Sequence, residues 1–340
     1  MTDRTLTFRE AINEALRLEM RRDPTVVLMG EDVAGGAELP HVEGKGEEAW
    51  GGVMGVTAGL VQEFGRDRVL DTPISESAFI GAAMGAAASG LRPVPEMMFI
   101  DFFGVCMDQI FNQGAKLRYM FGGKAKVPVV IRSMIGAGFG AAAQHSTSHY
   151  SVFTHMPGLK VVVPSTPADA KGLLAAAIRD DDPVLFFEHK LLYDVEGEVP
   201  EGEVVVPLGQ ADVKREGSDV TVVAIARMVH LALEAAEQLA GEGIEVEVID
   251  PRTLSPLDED TIVDSVKKTH RLIVVDEDNP RCNMATDLVA LGMTKAFGFV
   301  DAPPQMITPP HTPVPFSPAL ENEYLPSVED IVAAVRTVAG

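Results

Sequence analysis

A carboxyl group at Glu76 stands where an α/β protein could use it for acid–base chemistry. The segment DTPISE at 71–76 follows the apolar pair Val69 and Leu70, and Pro73 ends the predicted strand before a helix begins near Glu76. Because α/β sheets bind ligands at the carboxyl ends of their strands, a carboxylate there could hold or transfer a proton. A carboxylate at a helix start also stabilises the helix dipole, and the spacing leaves both interpretations open.

A second segment that could do chemistry is the glycine-rich stretch G-x-G-x-x-A at 136–141, which follows a predicted strand. This pattern can bind a dinucleotide, so a nicotinamide dehydrogenase is one alternative function. Against it, no acidic residue ends the next predicted strand at 160–164, and the residues after Ala141 are a poor helix start. His145 and His149 are four apart, as metal ligands on a helix can be, but the neighbouring Gly, Ser and Thr residues disfavour a helix.

Composition and charge narrow the classes of partner. The chain has 340 residues with 28 basic and 50 acidic side chains, a formal net charge of −22. This charge repels nucleic acids and anionic membranes, so we expect neither as a partner. It leaves two alternatives open: an ordinary solvated surface, or a basic partner protein. The first residues lack the apolar core of a signal peptide, and two cysteines suggest a reducing compartment, so we expect a cytoplasmic protein.

The elements that position these residues alternate between strands and helices. The spacing predicts helices at 7–21, 53–64, 77–90, 103–120 and 167–179, with strands at 25–29, 94–100, 127–135, 160–164 and 184–188. This alternation predicts an α/β fold with a mostly parallel sheet. A charged, glycine-containing stretch at 192–209 is predicted to be a linker, and a second, smaller α/β alternation follows it. We therefore divide the chain into domains at 1–191 and 210–340.

Several segments, in order along the whole chain, resemble the beta subunits of thiamine diphosphate-dependent 2-oxoacid dehydrogenases. They are DTPISE at 71–76, GLRP at 90–93, AAQHS at 142–146, PGLKV at 157–161, DAKG at 169–172, AIRDDDP at 177–183 and IDPRTL at 249–254. Within this family the acetoin branch is the closest likeness. The segments that point to it are AWGGV at 49–53, FNQGAKLRYMFGG at 111–123, FTHMPG at 153–158, DNPRCNMATD at 278–287 and PHTPVPF at 310–316.

The resemblance implies a pyrimidine-binding parallel-sheet domain followed by a transketolase C-terminal-like domain. It also implies an α2β2 heterotetramer in which the cofactor lies between subunits. The alpha chain would hold the diphosphate and the magnesium, and this beta chain would hold the aminopyrimidine. A lipoyl acyltransferase is the further implied partner. Its small subunit-binding domain, which is typically basic in the family, could be the partner that binds the acidic surface.

The resemblance also implies roles for individual residues. Glu76 matches the glutamate that activates the cofactor through the aminopyrimidine ring nitrogen, and His145 matches a histidine placed near the reacting centre. The positions that line the aminopyrimidine pocket are Glu31, Ile74, Met98 and Phe102. The positions of a monovalent-cation loop, which could hold potassium, are Val129, Ala177, Ile178, Asp180 and Asp182. Asp182 stands where some relatives have asparagine.

The function that the resemblance implies is cleavage of acetoin to acetaldehyde and an enzyme-bound two-carbon unit, which is passed on as an acetyl group to the lipoyl acyltransferase. Three alternatives remain open. The first is the same chemistry on pyruvate or a branched-chain 2-oxoacid. The second is the nicotinamide dehydrogenase, and the third is a non-catalytic scaffold subunit.

Overall fold

The computed structural model describes residues 3–35 and 50–340. Ala49 of the AWGGV segment lies outside the described residues. Contacts divide the chain into two compact units. The first comprises Met1–Met134 and Phe153–Leu208, and the second comprises Ile135–Val152 and Gly209–Gly340. The sequence-based division places 135–152 in the first domain, whereas this grouping places Ile135–Val152 with the carboxyl-terminal half.

The first unit is built on a parallel sheet. Its strands are β2 (Val26–Gly30), β3 (Val69–Asp71), β4 (Arg92–Phe99), β5 (Val130–Ile135), β6 (Lys160–Val162) and β7 (Val184–His189). They lie in the order β6-β7-β5-β4-β2-β3, and the pairs β2–β3, β2–β4, β4–β5 and β6–β7 are parallel. Three of these strands, β2, β5 and β7, are buried along their whole length, as strands covered on both faces should be.

Helices cover this sheet. They are α1 (Phe8–Arg22), α2 (Leu60–Phe64), α3 (Glu76–Ala88), α4 (Ala115–Met120), α5 (Tyr150–Thr154) and α6 (Pro167–Arg179). The predicted capping of α1 is confirmed, since the Thr7 hydroxyl accepts from the Glu10 N–H and the Glu10 carboxylate accepts from the Thr7 N–H. Helix α1 packs against α6 through an apolar face that includes Ile12 and Leu16.

Three sequence-based predictions for the first unit are wrong in part. Strand β1 (Asp3–Thr7) was missed, and it pairs antiparallel with β8 (Glu196–Pro200), which lies inside the predicted linker. The helix predicted at 53–64 is limited to α2, because Gly55 and Gly59 adopt positive φ angles of 71° and 77°. The helix predicted at 103–120 is a 3₁₀ helix (Ile100–Cys106), a π-helix (Asp108–Gly114) and then α4.

The second unit has its own sheet. The strands are β9 (Asp212–Arg215), β10 (Val220–Ala224), β11 (Val246–Asp250), β13 (Leu272–Val275) and β14 (Gln305–Ile307), and they lie in the order β14-β13-β10-β11-β9. All pairs are parallel except β11–β9. The short strand β12 (Thr253–Ser255) follows β11. The helices are α7 (Met228–Ala240), α8 (Glu259–Thr269), α9 (Met284–Lys295), α10 (Pro318–Tyr324) and α11 (Val328–Ala339).

The predicted second α/β alternation is confirmed by this sheet and its helices. Its core lies between the sheet and helices α7 and α11, with Val222, Ala232 and Val335 fully buried. Among the residues that the structure describes, no helix combines the length and apolar character needed to cross a membrane.

Candidate functional site

Glu76 is the first residue of α3, at the carboxyl edge of the first sheet. Strand β3 runs parallel to β2, with Asp71 opposite Gly30, and the Thr72 N–H donates to the Gly30 carbonyl at 2.9 Å. Glu31 directly follows β2, so the register places Glu31 and the turn before Glu76 at the same edge. Ser75 occupies the cap position of α3, but its side chain makes no capping hydrogen bond. Ser75 therefore does not cap α3, and Glu76 is the acidic residue of the first turn of this helix.

Electrostatic interactions confirm that acidic groups gather at this edge. Burial, followed by the charges of Glu76, Asp32 and Glu96, raises the pKa of the Glu31 carboxyl. Burial, together with the charge of Glu76, raises the pKa of the Cys106 thiol to about 12. Glu31 therefore keeps its proton to a higher pH than an ordinary glutamate, and Cys106 is an inert thiol.

The other residues predicted at the pocket differ in exposure. Ile74, in the turn before α3, is 84% exposed although its side chain is apolar. Met98 is half-buried and packs against the core of the first unit, and the Phe102 ring stands edge-on to Phe99 at 5.9 Å between centroids. The structure thus brings Glu31 and Glu76 together and leaves the apolar surface of Ile74 uncovered.

A buried charge network that the sequence reasoning missed lies in the same sheet. The Arg132 guanidinium is fully buried, with its Nε and Nη2 donating to the two carboxylate oxygens of Glu188 at 2.6 and 2.8 Å. Its Nη1 donates to Glu96 at 2.7 Å, and the Tyr193 hydroxyl donates to Glu188 at 2.8 Å. The available signal was a charged residue within a mainly apolar run in each of three strands. The network holds Glu96 beside the acidic edge of the sheet.

His145 lies in the second unit, in the segment that contains the glycine motif. The Ala137 N–H donates to the Glu277 carboxylate at 2.6 Å, and the N–H groups of Gly138 and Gly140 donate to Glu321 at 2.7 and 3.0 Å. These are the amides that a dinucleotide motif would offer to a pyrophosphate, and carboxylates of the chain already bind them. No helix follows until Tyr150. The geometry therefore removes support for a nicotinamide site.

His145 itself is half-buried in a turn, where its N–H donates to the Ala142 carbonyl at 3.4 Å. Ala142 adopts a positive φ of 58°. Glu76 and His145 belong to different units of the structure. The role predicted for His145 stays a prediction.

Of the residues of the predicted cation loop, Ala177 and Ile178 lie in the last turn of α6, Asp180 and Asp182 follow this helix, and Val129 precedes β5. The carbonyls of Ile178 and Asp180 accept from Nη1 of Arg92 at 3.0 and 2.8 Å, and Lys160 bonds to the Asp180 carboxylate at 2.5 Å. The carbonyls of Val129 and Ala177 accept from the N–H groups of Val184 and Asp180, and Asp182 is ion-paired with Arg118. The chain itself thus supplies positive charge at this loop, and the monovalent-cation site stays a prediction.

Comparisons with known proteins agree with this architecture. The family model described as "Transketolase, pyrimidine binding domain" matches residues 4–196, and "Transketolase, C-terminal domain" matches residues 209–331. The acetoin:2,6-dichlorophenolindophenol oxidoreductase subunit beta of Bacillus subtilis is 61% identical over 337 residues, covering 99% of this chain and 98% of that protein. The subunit of the same name from Cupriavidus necator is also 61% identical, over 98% of this chain and 97% of that protein.

This chain belongs to the family of transketolase-type beta subunits of acetoin and 2-oxoacid dehydrogenases. The pyruvate dehydrogenase E1 component subunit beta of Rickettsia felis is 44% identical, over 98% of each chain. In fold, the chain is similar to a solved split-gene transketolase, described as an inactive beta4 tetramer. That similarity has a TM-score of 0.74 at 24% identity and covers 98% of both chains. The predicted thiamine diphosphate-dependent, transketolase-like family and two-domain fold are confirmed.

Proposed function

We propose that this beta subunit works with an alpha subunit to cleave acetoin and to pass the acetyl group to a lipoyl acyltransferase. The observation that supports acetoin is the difference in identity among relatives. Two acetoin oxidoreductase beta subunits are 61% identical to the chain, whereas beta subunits for pyruvate and 2-oxoisovalerate are 42–44% identical. The matches to both groups of relatives cover nearly the whole chain. The difference in sequence identity therefore reflects the branch of the family rather than partial matching.

The residues at the edge of the first sheet fit the aminopyrimidine of thiamine diphosphate. Glu76 offers a half-buried carboxyl group, and Ile74 offers uncovered apolar surface to an aromatic ring. Glu31, Met98 and Phe102 would complete the pocket. When bound, thiamine diphosphate supplies a ring carbon that becomes a nucleophile after it loses a proton.

The task of Glu76 is then to hold a proton at the ring nitrogen of the aminopyrimidine. Its carboxyl group would hydrogen-bond that nitrogen and so favour the tautomer that can take up the proton. Glu31, whose pKa is raised by burial and by Glu76, would keep its proton to a higher pH than an ordinary glutamate, and in its protonated form it could donate a hydrogen bond. His145 would move protons near the reacting carbonyl or guide the lipoyl group.

An alpha subunit is needed in this proposal to hold the diphosphate and the magnesium, in an α2β2 heterotetramer. The exposed surface of the first unit supports a partner. Three consecutive apolar side chains at the end of α4, Tyr119, Met120 and Phe121, are 89%, 68% and 59% exposed. Exposed apolar patches of this kind mark protein interfaces. The acyltransferase would dock through its basic subunit-binding domain.

The decisive experiment replaces Glu76 by glutamine in the complex reconstituted with the alpha subunit. We expect dye-linked turnover of acetoin to fall by about 10²- to 10⁴-fold, the usual contribution of a positioned acid–base group. Assembly with the alpha subunit and the thermal midpoint should not change. Glu198→Gln is the matched control, because Glu198 is an exposed glutamate of β8 in the same unit.

Near wild-type turnover by Glu76→Gln would refute the role of Glu76 and would favour the scaffold alternative. The substrate is tested in the same assay with acetoin, pyruvate and 2-oxoisovalerate, using reduction of 2,6-dichlorophenolindophenol as the readout. We expect the highest kcat/KM for acetoin. A higher value for either oxoacid would reassign the chain to the corresponding branch while leaving the role of Glu76 intact.

A further inference from the structure

A cavity of about 500 Å³ lies within the second unit, and all of its lining residues belong to that unit. The polar residues that line it include Glu277, Ser146 and Ser148. Other lining residues are apolar or aromatic and include Val314 and Tyr324. This volume is within the range of small-molecule sites, which are about 300–1,000 Å³.

The position of the cavity in the sheet is one where α/β domains bind ligands. Strand β10 pairs with β11 on one side and with β13 on the other, so the direction of winding reverses between β10 and β13. Ligands bind outside the carboxyl ends of the strands at such a switch point. Glu277 and Asn279, which line the cavity, follow directly after the carboxyl end of β13.

Two serine hydroxyls give an independent sign of a ligand. Ser146 and Ser148 are only 2% and 3% exposed, and within 3–35 and 50–340 their Oγ atoms have no hydrogen-bond partner. A buried hydroxyl without a partner destabilises a folded chain, and native proteins contain few of them. Both serines line the cavity, so a polar group bound there would satisfy them.

The charge of the wall selects the kind of polar group. Glu277 is 6% exposed, and its neighbours Asp276 and Asp278 are also buried. Burial, together with the charge of Asp276, raises the pKa of Asp278 to about 7, which shows how strongly this region opposes further negative charge. None of the described residues that line the cavity is a lysine or an arginine. An anionic ligand is therefore disfavoured.

We propose that this cavity binds a primary ammonium group on a short aliphatic stem. The ammonium would donate to the Glu277 carboxylate and to the Oγ atoms of Ser146 and Ser148, which together match its three donors. The Tyr324 ring would add a cation–π contribution, and Val314 would cover the stem. The inference is independent of the acetoin reaction, because it uses no residue assigned to that site.

The same chemistry could come from two sources, a free small amine or a lysine side chain of a partner protein. The full chain is therefore titrated by calorimetry, at constant ionic strength, with butylammonium chloride and with Nα-acetyl-lysinamide. Neutral 1-butanol and sodium butyrate are the matched controls for shape without the positive charge. We expect saturable binding of one or both amines. Binding of butylammonium alone indicates a free amine, and binding of the lysine analogue alone indicates a side chain.

Substitutions in the cavity wall test whether the amine binds there. Glu277→Gln should weaken the amine at least about tenfold, whereas Glu237→Gln, an exposed glutamate of α7, should have no effect. Because Glu277 also accepts from the Ala137 N–H, the Ser146→Ala/Ser148→Ala variant is a second test. It should keep or raise the thermal midpoint without ligand, since it removes two unsatisfied hydroxyls, and should weaken amine binding. Failure of both amines to bind, equal binding of 1-butanol, or unchanged affinity in both variants would overturn the proposal.

Discussion

Replacement of Arg132 by methionine should be among the most destabilising single changes in the first unit. The guanidinium is 1% exposed and makes three hydrogen bonds of 2.6–2.8 Å to Glu188 and Glu96. Methionine fills much of the same volume but leaves two buried carboxylates without a counter-charge. Breaking a buried pair in this way costs about 3–5 kcal/mol. For a unit of about 150–250 residues, that corresponds to a fall in Tm of about 6–20 °C.

The assay is thermal unfolding of the purified chain at about pH 5 and about pH 8. Burial raises the pKa of Glu96 even with Arg132 present, and removal of the arginine would raise it further. A carboxyl group whose pKa is raised by folding stabilises the fold at low pH and loses that contribution as the pH rises. The Tm deficit of the variant should therefore be larger at about pH 8.

The surface pair Arg336–Glu242 provides the matched control, because both side chains are about half exposed. Arg336→Met should cost no more than about 1 kcal/mol. If Arg132→Met unfolds at the same temperature as that control at both pH values, the network does not stabilise the fold in the way described.

Three further predictions concern the backbone, the acidic cluster and the net charge. Gly158→Ala should lower Tm by several degrees, because a Cβ there would lie 2.0 Å from the Ala115 carbonyl oxygen. Gly65→Ala is the control: its φ is also positive, but a Cβ there would meet open space, so Tm should fall much less. Equal losses of Tm would show that backbone strain at positive φ, rather than the steric contact, dominates. In the second unit, the pKa of Asp278, raised to about 7 by burial and by Asp276, means that folding stability falls as the pH rises from about 4 to about 7. Asp278→Asn should flatten that fall in a pH series of Tm values, and an unchanged slope would contradict the assignment. Docking to the acyltransferase should weaken as NaCl rises from about 0.05 to about 0.3 M, because the chain has a net charge of −22. Calorimetry measures this affinity at each salt concentration. An affinity that does not depend on salt would indicate that the acidic residues form a hydrated surface and do not attract the partner.

Local patterns in the sequence determined much of the architecture. Apolar periodicity and Thr7 capping predicted α1, and the alternation of strands and helices predicted a parallel sheet in each half. The order of strand, Pro73 and Glu76 placed a carboxyl group at the carboxyl edge of the first sheet. These predictions succeeded because helix capping and strand burial depend on residues a few positions apart.

Only the tertiary structure decided which distant charges meet. Arg132 reaches Glu96 across 36 residues and Glu188 across 56, and those contacts depend on strand order and register rather than on any local pattern. The glycine motif resembled a dinucleotide site until folding brought the Glu277 and Glu321 carboxylates, 140 or more residues away, onto its amides. A local motif defines the hydrogen-bonding groups that a segment can offer, and the fold determines whether the chain itself or a ligand binds them.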